Sequence, residues 1–220
     1  MQLEKLFQSV VQELSARRVA FAVAGGFAAS LYRREPRLTM DIDISILAES
    51  RALQTAKTVI ETLGLEAGIA READLAGGPV FAIRRRSTKA CMVVGRQSGD
   101  SSGTGVDILL PTIPWVTDAV QRAQDNEVDF GFGPVPVLTL EDLVLSKLWS
   151  LASAQLRAKD LDDLQSVFDA GHDPDLAYLS GQMRRLKLVV PRKAEPFLPD
   201  ILLKISRDIG RGLRRKRDDS

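Results

Sequence analysis

Cysteine and histidine are almost missing from this chain: 220 residues contain one of each, Cys91 and His172. One thiol and one imidazole exclude an intrachain disulfide framework, a thiolate zinc centre and any histidine-cluster metal site within one chain. Any metal chemistry therefore falls to carboxylates. Long apolar runs are also lacking, and none approaches the roughly 20 residues that span a bilayer, so no membrane partner is expected. Neither sign of charge is in excess: 30 basic residues against 29 acidic leave +1. The whole-molecule field thus says nothing for or against nucleic acid, although a local patch still could. With 45% hydrophobic and 27% charged residues, the composition is that of a globular protein large enough for one domain, or for a main domain with a helical appendage. The first stretch, MQLEKLFQSVVQELSARR, spaces Leu3, Leu6, Phe7, Val10, Val11 and Leu14 along one helix face, unlike a signal-peptide core, and a cytoplasmic location is expected.

What is present concentrates in Phe21–Ile46, FAVAGGFAASLYRREPRLTMDIDISI. A short apolar run meets Gly25-Gly26, a helix-like segment follows from Phe27 to Arg34, and a second apolar run carries Asp41 and Asp43. This reads as strand, glycine turn, helix, strand. Side chains alternate along a strand, so Ile42, Ile44 and Ile46 share the core face while Asp41, Asp43 and Ser45 share the other. Two carboxylates so placed stand roughly 6 to 7 Å apart and repel one another unless a cation lies between them. A hard divalent ion carrying substrate phosphates is the usual solution, and glycines before a helix let backbone N–H groups approach a phosphate. Nucleotide chemistry is the reading.

Gly25-Gly26 followed by Arg37-x-Thr39-x-Asp41-Ile42-Asp43-Ile44 resembles the signature of the DNA polymerase beta-like nucleotidyltransferase superfamily. The Arg-x-Thr-x-Asp-Ile-Asp form resembles its AbiEii/MenT-type toxin branch. The resemblance implies a third carboxylate on a later strand, for which Asp107 in GVDILL is the match. It also implies a lysine in a helix beyond the core and an acid in the next helix, matched to Lys147 in LEDLVLSKL and Asp160 in RAKDLDDL, with Asp163 as the other candidate for the acid.

Beyond this segment, 51–63 reads as an amphipathic helix ended by Gly64. Short β-rich runs follow at Val80–Ile83, Cys91–Val94 and Val106–Leu110, with a Gly/Ser-rich loop over 96–104. A short helix is expected over 115–123 and a hairpin over 128–137. Thr139, three residues before Asp142, then starts a helix. Lys147 falls inside that helix's apolar stripe, so it must either snorkel outward or aim its ammonium at an anion. The rest is helical and closes in a basic tail, RGLRRKRDDS. The expected class is therefore α+β: a nucleotidyltransferase-like mixed sheet flanked by helices over residues 1–138, then a helical region over 139–220.

The resemblance implies transfer of a nucleoside monophosphate from an NTP, with Asp41, Asp43 and Asp107 holding Mg²⁺, two ions in number. Gly25, Gly26, Arg37, Thr39 and Lys147 would meet the nucleotide, and Lys147 and Asp160 complete the catalytic set with the three acids. Arg37 and Thr39 could instead brace their loop. In the toxin branch the acceptor would be RNA such as a tRNA 3′ end, and a cognate antitoxin would be a partner. Two alternatives stay open: a nucleotidyltransferase acting on a small molecule of the antibiotic type or on a protein, and a non-catalytic nucleotide- or partner-binding protein.

Overall fold

The computed structural model describes residues 3–71, 89–99, 104–153 and 157–218, without the side chains of 49, 153 and 214–218. The strand expected at Val80–Ile83 and part of the 96–104 loop lie outside the described residues.

Helix α1 (Leu3–Ala16) buries the stripe read from its spacing, Leu6, Phe7, Val10, Val11 and Leu14. Phe7 stacks on Phe27 with ring centroids 4.8 Å apart and meets Phe130 and Phe132 edge-on at 5.0 and 5.4 Å. These rings pin the helix both to the segment after the first strand and to the turn around residues 130–132. Next come β1 (Ala20–Val23), α2 (Gly25–Tyr32), β2 (Asp41–Leu47), α3 (Ala52–Thr62), β3 (Glu66–Arg71), β4 (Ala90–Arg96) and β5 (Gly105–Leu109). The strands form one sheet in the order β1-β2-β5-β4-β3. Only β2 and β5 run parallel; the other neighbours are antiparallel. The parallel pair sets Asp43 opposite Asp107.

Alternation along β2 holds: Ile42, Ile44 and Ile46 are fully buried and Asp41 and Asp43 partly open. Ser45, on the carboxylate face, is also fully buried. β3 was not foreseen; EAGIAR has one large apolar residue, and as an edge strand it buries none of its residues. The hydrophobic alternation by which strands are read is absent there.

After β5, α4 (Val116–Ala123) packs on β1 and β2, and the short strands β6 (Glu127–Asp129) and β7 (Pro134–Pro136) form the expected hairpin. Val137 then bridges Val23 in parallel, and Leu138 N–H donates to Val23 O at 3.0 Å. Helices α5 (Leu140–Ser153), α6 (Ala158–Asp169), α7 (Leu176–Leu186) and α8 (Asp200–Asp218) complete the chain. Thr139 caps α5 as its spacing indicates: Asp142 N–H donates to Thr139 Oγ1 at 3.3 Å, and that hydroxyl donates to Asp142 Oδ2 at 3.0 Å. The boundary proposed at residue 138 falls within a stretch whose two sides share one buried hydrophobic cluster. The side chains of the basic tail beyond Leu213 lie outside the described residues. Among the described residues, no helix is long and apolar enough to cross a membrane.

Candidate active site

The carboxylate face of the sheet forms the floor of a cavity of about 270 Å³, walled on the far side by α5 and the start of α6. Gly25, Gly26, Arg37, Thr39, Asp41, Asp43, Asp107, Lys147 and Asp160 all line it. The fold thus gathers all nine of these residues, which the sequence nominated for the site. Asp163, the other candidate acid, lies behind the wall and is fully buried.

Gly25 begins α2 at φ +56°, where a Cβ would collide with the Asp43 carboxylate. At Gly26 a Cβ would come within 2.7 Å of Thr39 Oγ1. Both glycines are therefore needed for close approach as well as for turning the chain. Gly26 N–H donates to Asp43, and Thr39 Oγ1 donates to Asp41 O at 3.1 Å. Burial, and then the negative charge of Asp107, push the Asp43 carboxyl up to about 6. Burial likewise raises Asp41, with Asp107 adding to it and Arg96, Lys159 and Arg157 opposing.

Lys147 resolves its two alternatives by aiming its ammonium inward. Nζ lies 2.9 Å from Asp160 Oδ1 and 2.7 Å from Asp163 Oδ2. Both candidate acids are thus in contact with it, and Ser150 Oγ donates to Asp160 Oδ2 at 2.7 Å. Asp163 also receives Arg37 through Nε at 2.7 Å and Nη2 at 3.0 Å, and Arg33 Nη1 at 2.8 Å. Burial alone would raise Asp163; the Arg37 bonds and the charge and hydrogen bond of Lys147 outweigh it and hold the carboxyl at about 2. Arg37 lines the cavity while its guanidinium is spent on bracing its own loop against α6.

Three further cations escaped the sequence reading. Arg96 Nη1 donates to Asp107 Oδ1 at 2.7 Å, and its Nη2 stands 3.5 Å from Asp41 Oδ1. Alternation was the available signal: Met92, Val94 and Arg96 share the more open face of β4, beside Asp107 and Leu109 of β5. Arg157 and Lys159 line the cavity from the start of α6. They stand beside Asp160 in RAKD, where the sequence alone nominated only the acid.

The donor set suits a hard divalent ion. Asp41 Oδ1 is buried without a hydrogen bond, and Asp43 and Asp107 face each other across paired strands. Among the described residues, no group of three Asp, Glu, His or Cys is arranged to hold an ion as it stands. The cation now between Asp41 and Asp107 is the Arg96 guanidinium.

Solved nucleotidyltransferases share this architecture. The antibiotic-resistance factor ANT(2″)-Ia in complex with adenylyl-2″-tobramycin superposes with TM-score 0.52 at 13% identity, over 83% of this chain and 97% of that one. An antigenic nucleotidyltransferase-like protein from Paracoccidioides brasiliensis gives 0.50 at 18% identity, over 99% of this chain and 89% of that one. At such identities the likeness establishes the fold. A comparison with curated proteins found no match. The family described as "Nucleotidyl transferase AbiEii toxin, Type IV TA system" matches residues 10–211. That match covers nearly the whole chain, including both walls of the cavity, and the protein belongs to this family of nucleotidyltransferase toxins.

Proposed function

We propose that the enzyme transfers a nucleoside monophosphate from an NTP to a hydroxyl of an RNA acceptor such as a tRNA 3′ end, and that a cognate antitoxin restrains it. The observation that carries this reading is the meeting in one cavity of Asp41, Asp43 and Asp107 with Gly25-Gly26 on one side and Arg157 and Lys159 on the other. Acids for a metal and cations for phosphate are what a nucleotide polyphosphate requires; a non-catalytic binding module has no need of Asp107.

Asp41, Asp43 and Asp107 would hold Mg²⁺, two ions in this reading, which supplies charge neutralisation on the triphosphate and eases ionisation of the acceptor. The acceptor hydroxyl oxygen attacks the α-phosphorus, the bond from that phosphorus to the α,β-bridging oxygen breaks, and pyrophosphate leaves. The acceptor proton passes to the Asp107 carboxylate. Arg157 and Lys159 are exposed and face the carboxylates, so their charge is available to the leaving phosphates. Lys147 adds charge from behind while its ammonium is shared by Asp160 and Asp163. Gly25-Gly26 keeps the floor low enough for phosphate to approach Asp43.

The test is incubation with each of four α-³²P-labelled NTPs, Mg²⁺ and total bacterial RNA, with D41A as control. Label in tRNA-sized RNA that disappears with D41A supports the reading and names the donor. Metal-dependent NTP binding without RNA labelling transfers the case to a small-molecule or protein acceptor. Absence of both labelling and NTP binding refutes it.

A further inference from the structure

We propose that Arg96 is an internal counter-cation of the site, and that metal loading is an exchange in which the guanidinium leaves the carboxylates as the divalent ion arrives. The inference rests on the reading of Asp41, Asp43 and Asp107 as the metal-holding acids.

The register of β4 and β5 sets Arg96 opposite Gly105, diagonal to Asp107. A diagonal neighbour is within reach of a long side chain across an antiparallel pair. The side chain folds over Gly105 to get there, and a Cβ at that position would run into Gly95 O first and then into Arg96 Nη1 and Cδ. Glycine at the start of β5 thus leaves the path clear. At the end of that path Nη1 donates to Asp107 Oδ1 at 2.7 Å and to Gly95 O at 3.0 Å. Nη2 reaches Asp41 Oδ1 at 3.5 Å without bonding it, so one acid is held by a hydrogen bond and the other by charge alone.

Arg96 bonds Asp107 and leaves Asp41 Oδ1 buried without a hydrogen bond, and Lys147, Arg157 and Lys159 belong to the opposite wall, so a divalent ion is favoured between the acids. Placed beside that ion, the same guanidinium would face like charge at close range in a partly desolvated site. The two cations therefore exclude one another. The Arg96 side chain is 36% exposed, so it can swing to solvent without opening the core. Its pairing reduces the fraction of enzyme ready for metal, and apparent affinity falls by that fraction. For a partly exposed charge-assisted bond the reduction is about tenfold. The free enzyme accordingly holds bare metal weakly and fills the site best when the metal arrives with a polyphosphate, whose charge the released Arg96 can meet.

Mn²⁺ alone, without nucleotide, is the probe, with free Mn²⁺ read by electron paramagnetic resonance during titration of the full-length wild type, R96Q, R96K and D41A. The expected result is Mn²⁺ binding about tenfold tighter in R96Q than in wild type, with R96K between them because one ammonium cannot reach both acids. In EDTA, R96Q melts below wild type, and saturating Mn²⁺ removes that deficit. Arg96 acting only as structural support predicts the reverse sign, weaker Mn²⁺ binding in R96Q. Equal or weaker binding in both R96Q and R96K, with binding still lost in D41A, overturns the exchange and leaves the metal-site reading standing. Absence of Mn²⁺ binding from wild type and both Arg96 variants overturns the two together.

Discussion

Asp163 is the residue whose removal should cost most outside the chemistry itself. Its carboxylate is fully buried and receives Arg33, both nitrogens of the Arg37 fork and Lys147 at 2.7 to 3.0 Å. Holding the carboxyl at about 2 rather than 3.8 is a preference for the charged form of about 2 kcal/mol, at 1.36 kcal/mol per pH unit. Asp163→Asn removes that charge while keeping the shape, and leaves three cations facing an amide. Loss of one partner from a buried pair costs about 3–5 kcal/mol. Lys147 keeps Asp160, so the lower end, about 3 kcal/mol, is expected. Urea unfolding of wild type and D163N from pH 7 to pH 2.5 measures it. The folded carboxyl lies below its unfolded value, so its contribution is complete above 3.8 and drains away as pH falls toward about 2. The gap between the proteins should be widest at pH 7 and narrow over that window. A gap under about 1 kcal/mol at pH 7, or one that stays constant down to pH 2.5, would refute the electrostatic account of this hub.

Gly25→Ala should abolish nucleotide transfer and lower the urea midpoint, because the new Cβ collides with Asp43. Gly64→Ala is its control: φ is +73° but nothing lies within 4 Å, so it should lose only about 1 kcal/mol of backbone strain and keep full turnover. Tyr178→Phe deletes the 2.7 Å hydrogen bond to Asp142 Oδ1, an acid that burial raises and that is fully enclosed. Thermal and urea melts should show a loss of about 1–3 kcal/mol, and an unchanged midpoint would mean that Arg122 and Thr139 satisfy Asp142 without the phenol. Ala at both Arg157 and Lys159 should raise KM for the NTP about tenfold or more and shift stability by under about 0.5 kcal/mol, since both are exposed. A normal KM there would place the phosphates elsewhere.

The centre of the fold was legible because two local codes coincide in it. A glycine pair beside a helix and strict alternation in DIDISI each need only a few neighbouring residues to be read; the alternation occurs as expected, while the helix takes in both glycines, running Gly25–Tyr32 rather than from Phe27 to Arg34. Likewise Thr139 and Asp142 identify a helix start within four residues. What escaped depends on partners far along the chain. Arg96 looked like the polar opening of a loop until the β4–β5 register placed it beside Asp107. Arg37 suggested a substrate contact, while its fork is occupied by Asp163, 126 residues away. Lys147 in an apolar stripe left two directions open, outward or toward an anion; that it turns inward to two acids of the next helix is a matter of how α5 and α6 cross. β3 was missed for the opposite reason, since an edge strand pairs through its backbone and leaves little trace in side-chain pattern.

The long span of the Asp163 contacts also sets when, during synthesis, the enzyme becomes competent. Arg33 and Arg37 leave the ribosome about 130 and 126 residues ahead of their acid. A nascent chain can therefore lay down β1, β2 and β5, with all three carboxylates, while its Arg37 loop still has nothing to close on. Only when α6 has emerged are the loop, Lys147 and the cations of the far wall fixed around the cavity. A chain released ahead of Ala158 is thus expected to be inert even where its sheet has formed, and dosing cells with such truncated chains should leave growth unaffected. For a protein of a toxin family, this ordering makes harmfulness a late event of its own translation.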